Sequence, residues 1–272
     1  MRIPSCLYVG VVATGFAVAA MATATAAPVS EPPPGAVRDG GPIAEAVPPG
    51  GLITSFLHNQ VTYCSIICPL AVQTATTAAT TIQRAPGTFA AASQGNDPAK
   101  ALGIAAASIT GPTSAAAQQT IVADGTVVAP RALNAFEVGV VDVLNIGPAA
   151  AAGGPPAAVA AAQTARQDTY TALNAPIVPN PPPTVTPHDA VQAAVVAVID
   201  AGAAVVFPAF NTVLTAAFQA PDAAAQELAA TGDPQQALAA GLGTVTAAQT
   251  TADTIITDAV TRAVDDIGIA TQ

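Results

Sequence analysis

Alanine occupies 68 of the 272 positions, while only 9% of residues are charged. An ordinary globular domain is about 25% charged. Alanine is the strongest helix former, but it removes little area from water, and burial is worth only about 25 cal/mol per Å². Aromatic residues make up 4% and tryptophan is absent, so large core anchors are scarce. The chain is therefore expected to be all-α, an Ala-rich helical bundle whose helices pack small residue on small residue. Seven Lys and Arg face seventeen Asp and Glu, for a net charge of −10. That balance excludes a nucleic-acid binder, which must neutralise phosphates. It equally excludes docking on anionic lipid through basic clusters.

The first stretch reads as an address. Arg2 is the only positive charge near the start, and an uncharged run extends from Ile3 to Ser30. Its apolar centre, Leu7 to Met21, precedes small residues of the A-x-A type at Ala22 to Ala27. This order is that of a secretory signal peptide. Cleavage is expected after Ala26, and an uncleaved anchor is the alternative. The apolar centre is shorter than the roughly 20 residues of a spanning helix. Export by the general secretory route would place the protein outside the cell or in its envelope.

The mature chain keeps Cys64 and Cys68, an even count that suggests a disulfide in an exported protein. Pro69 follows at once, so one helix is expected to end there and another to begin, with the bridge stapling the junction. His58 lies upstream, but two thiols and one distant imidazole are too few for a closed zinc site.

Residues 27–51 form a Pro/Gly-rich tether, and residues 148–187 an Ala/Pro-rich linker. Between and beyond them lie two candidate helical repeats, 52–147 and 188–272. Asp97-Pro98-Ala99-Lys100-Ala101-Leu102 resembles Asp233-Pro234-Gln235-Gln236-Ala237-Leu238, Cys68-Pro69 pairs with Phe207-Pro208, and Arg131-Ala132 pairs with Arg262-Ala263. Thr186 is the expected N-cap of a helix with Pro187 in its first turn. Val191, Val195, Val198 and Val205 then share one helical face, as do Leu133, Phe136, Val140 and Leu144 upstream of an expected stop at Gly147. A third stripe runs from Val245 to Ile267 through Ala252, Ala259 and Ala263.

Chemistry-bearing motifs are missing. There is no G-x-S-x-G, H-E-x-x-H, Gly-rich phosphate loop or calcium loop. His58 and His188 are the only histidines. Glu137 and Asp142 are five apart and diverge on a helix, and the acidic residues read as solvated polar faces. No catalytic, cofactor or metal residues are expected.

The signal peptide, the Ala/Pro/Thr bias and the dearth of lysine resemble exported proteins of high-GC actinobacteria, mycobacteria in particular. The resemblance is one of style across the chain, and it implies an exported, envelope-associated protein. The expectation is a non-enzymatic helical protein acting by helix–helix or helix–lipid contact, with a lipid or protein partner or a second copy of itself. The alternative is a carrier of lipid or another small apolar ligand. The two Val and Leu/Phe stripes are the candidate contact faces.

Overall fold

A computed structural model of the chain describes residues 46–270. The signal peptide at 1–26 and most of the tether lie outside them. The described residues are all-α. Helix α1 spans Gly51–Ala92, α2 Pro98–Ala123, α3 Ala129–Asn174, α4 Ala190–Ala204, α5 Phe210–Thr231 and α6 Pro234–Ala270. Two five-residue π-helical turns, Asp124–Val128 and Val205–Ala209, join α2 to α3 and α4 to α5.

Short polar side chains set the helix starts. The Asp97 carboxylate accepts from the Ala99 and Lys100 amides, both at 3.0 Å, and Asp233 accepts from Gln235 at 2.8 Å. Each is followed by proline in the first turn, where a missing N–H costs nothing. The N-cap of α4 is Asp189, not the expected Thr186. Its carboxylate accepts from the Gln192 amide at 2.8 Å, and Gln192 Oε1 accepts from the His188 amide at 2.9 Å. This reciprocal box satisfies two orphan donors at once, so it prevails over the Thr-Pro pair.

One proline expectation is corrected, and a second proline is carried by a π-helical turn. Pro69 does not end a helix, since α1 runs through it. Cys64 and Cys68 are disulfide-bonded within that turn, with Cα atoms 5.2 Å apart. The bridge thus staples a continuous helix rather than a junction. Pro208 is absorbed by the second π-helical turn. The extra residue of a π turn relieves the clash of the ring with the carbonyl one turn back.

The helix of the Leu133 stripe does not stop at Gly147, and residues 148–174 are helical rather than linker. The break falls at Gly154 (φ 68°, ψ −162°), a conformation open only to glycine. Pro155 and Pro156 follow, in the first turn of the second arm. A straight helix would put Arg131 and Ala172 about 60 Å apart at 1.5 Å per residue. Instead the Arg131 guanidinium donates to the Ala172 carbonyl at 2.6 Å. Helix α3 is therefore a hairpin of two arms, 129–153 and 155–174. The extended segment is confined to residues 175–189. It is tied down: the Asn180 amide donates to the Thr126 carbonyl at 2.7 Å, and the Thr184 amide to Asn134 Oδ1 at 2.7 Å.

Helix α2 packs between α1 and α5, α5 on α6, and α6 on α4 in a row, and α3 touches both α1 and α4. The buried apolar positions are almost all alanine, with Tyr63, Ile121, Val141 and Leu173 the larger exceptions. The row is held at close range. A Cβ on Gly103 would lie 2.2 Å from the Ala229 backbone nitrogen, so α2 and α5 touch backbone to backbone. The stripe through Ala252, Ala259 and Ala263 is indeed a packed face of α6.

Candidate functional site

Packing through alanine leaves the large apolar side chains outside. On α1, Ile53, Leu57, Val61, Val72, Ile82 and Phe89 are exposed. At about 100° per residue they fall within an arc of about 100°. The stripe is about 54 Å long at 1.5 Å per residue. The disulfide lies on it, and it contains no charged side chain. The opposite face of the same helix buries Ser55, Asn59 and Tyr63. Asn59 Nδ2 donates to the Leu173 carbonyl at 2.8 Å, and Ser55 meets the Asn174 amide. The first half of α1 is thus polar inside and apolar outside, the reverse of a water-soluble helix.

The second face runs along α4, the π turn and α5. Val191 is 63% exposed, Val198 64% and Phe210 58%; Val205 is exposed as well. Val195 is half-buried, against Ile267 of α6 in a small apolar patch. Of the expected contact residues, then, Val191, Val198 and Val205 stand on the surface. Leu133, Phe136, Val140 and Leu144 are half-buried on the first arm of α3 and do not join them. Both α1 and the continuous Ala190–Thr231 rod are long and apolar enough to cross a membrane, by length and composition alone. Fully burying a side chain of this size is worth about 1.5–3 kcal/mol. The six residues on α1 therefore forgo on the order of 10 kcal/mol in water.

A groove of about 1020 Å³ opens between the two π-helical turns. Gly125 and Thr126 come from the first turn, Phe207 and Pro208 from the second, and Thr212, Thr215, Thr244 and Thr251 from α5 and α6. Asp200 and Arg262 also line it. Behind Asp200, on α3, sits Glu137. Only 4% of Glu137 is exposed, and its Oε1 has no hydrogen-bond partner. Burial, then the facing Asp200 carboxyl, pushes Glu137 up to about 8. One turn further along, burial and the Asp168 charge push Asp142 up to about 6, opposed by His188. At the first π turn, burial raises the Asp124 carboxyl, opposed by a hydrogen bond with Asn211 of α5.

These carboxyls correct the expectation of solvated acidic faces. Glu137 lies on the angle of Leu133 and Leu144, four and seven residues away, so helical spacing already places it on the apolar face. Its partner, 63 positions later, has no such signal. Arg131, 2% exposed, is another buried charge. It donates to the Ala172, Leu173 and Ala175 carbonyls at 2.6–2.7 Å, capping the C-terminus of the α3 hairpin. Arg262, its counterpart in the proposed duplication, is exposed. His58 is exposed and forms no metal cluster with the bonded cysteines; among the described residues no such cluster occurs.

Comparison of the chain with protein-family models, with curated proteins and with solved structures finds no match.

Proposed function

We propose that this is an exported, non-enzymatic protein of the cell envelope that works by laying uncharged helix faces against lipid or against other apolar helices. The observation that carries the reading is the charge-free stripe from Ile53 to Phe89, apolar outside over a polar inner face. A patch of this extent is uncommon on a soluble monomer and marks a protein or membrane contact. The α4–α5 face supports it with Val191, Val198 and Phe210. Contact through such faces is hydrophobic, so salt should not release it, in contrast to polybasic docking. The test is co-sedimentation of the chain with phosphatidylcholine vesicles at about 0.1 M and 1 M salt, ionic strengths that differ about threefold in screening length. Equal binding at both is expected. Release at high salt, or no binding at either, overturns the lipid form of the reading.

A second reading has its own observation. The groove between the π turns is walled mainly by apolar and threonine side chains and is as large as the upper range of small-molecule sites, about 300–1,000 Å³. It favours a carrier of one apolar ligand.

A further inference from the structure

We infer that the groove between the two π-helical turns takes one single-chain amphiphile with a zwitterionic headgroup, its ammonium on Asp200 and its anionic group on Arg262. The inference rests on the carrier reading and names its ligand class.

Two charges of opposite sign line the groove from different helices. Helix α6 runs antiparallel to α4, and Ile267 packs among Val191, Ala194 and Val195. Five residues up one helix and five down the other bring Asp200 and Arg262 to the same level. Among the described residues no ion pair joins them, although both line the cavity. Behind Asp200 the buried Glu137 keeps an oxygen without a donor. Asp200 offers acceptor oxygens to the groove, and an ammonium supplies three donors. The guanidinium opposite supplies a paired donor for a phosphate or carboxylate. The remaining lining is neutral: Thr126, Thr212, Thr244 and Thr251 among alanines, with Leu133 and Phe207.

This pattern discriminates among lipids. A fatty acid would set its carboxylate beside Asp200. An alkylamine would leave Arg262 without a counter-charge, and a neutral glyceride would leave both. A zwitterion matches both signs and keeps the site's net charge unchanged.

The experiment is calorimetric titration of the chain with lysophosphatidylethanolamine below its micelle concentration, beside a monoacylglycerol of the same chain length. One site per chain is expected, with the zwitterion bound at least about tenfold tighter, the worth of one charged hydrogen bond. Asp200→Asn and Arg262→Gln should each remove about that factor while circular dichroism and melting stay those of a folded helical protein. Thr215→Phe, which fills the groove without touching either charge, should weaken both ligands alike. Equal affinity for the two lipids, or binding unmoved in both charge variants, overturns the headgroup assignment and leaves the carrier reading standing. No binding of either lipid overturns both.

Discussion

Glu137 gives the sharpest handle on the interface between α3 and α4. Its carboxyl is held up to about 8, against 4.5 for the free group, first by burial and then by Asp200. A raised acid binds its proton more tightly in the folded state, so folding stability falls as pH rises. The contribution is complete below about 4.5 and gone above about 8. Each tenfold change in proton affinity is about 1.4 kcal/mol, which sets a ceiling of about 5 kcal/mol on the effect. Local separation of α4 from α3 would relieve the repulsion and bring the observed loss to a few kcal/mol at most. Glu137→Gln keeps the shape, and its amide donates to Asp200 without titrating. Urea unfolding followed by circular dichroism at pH 5 and pH 8.5 is the assay. The wild type should lose stability between the two, and the variant should lose less and be the more stable at pH 8.5. Asp142, raised to about 6 by burial and then Asp168, changes in the same direction at lower pH, so the variant keeps a smaller slope. Identical slopes in the two proteins would refute the raised Glu137 carboxyl.

Three further outcomes follow from packing. Arg131→Met should cost about 3 kcal/mol, because three carbonyls at the end of the α3 hairpin lose their donor; denaturant titration measures it, and a near-neutral effect would contradict the capping role. Gly103→Ala should cost about 1–3 kcal/mol, since the added methyl lands on the α5 backbone; an unchanged midpoint would mean that α2 and α5 do not touch there. Cys64→Ser with Cys68→Ser should cost no more than about 2 kcal/mol, the entropy of a very short loop, with helix content by circular dichroism retained; loss of the helix would restore Pro69 as a break.

What was legible in the sequence and what was not divides along one physical line. Properties carried within a turn or two of helix could be read: the all-α class, the Cys64–Cys68 bridge and the packed alanine face of α6. Proline was read too strongly. Pro69 lies in a helix whose neighbours outweigh it, and the hairpin of α3 turns on Gly154 beside Pro155 and Pro156 rather than on the whole stretch. The groove could not be read at all. It depends on two π-helical turns 81 positions apart and on Glu137 meeting Asp200, pairings fixed only when the halves pack. The stripe on α1 was hidden for another reason. Its residues carry a helical period, but its inner face is polar where a core is expected.

In the lipid form of the proposed function, the charge-free helix faces lie against lipid chains. The protein contains no tryptophan, so single reporters can be placed at Leu57 and Val198 on the two faces, with Gln226→Trp on a polar exposed position as control. Emission is followed with vesicles carrying brominated acyl chains. Leu57→Trp and Val198→Trp should shift to the blue and be quenched by the bromines, while Gln226→Trp keeps the emission of a residue in water. Equal, unquenched emission from all three, with helix content intact, would contradict the lipid-facing account.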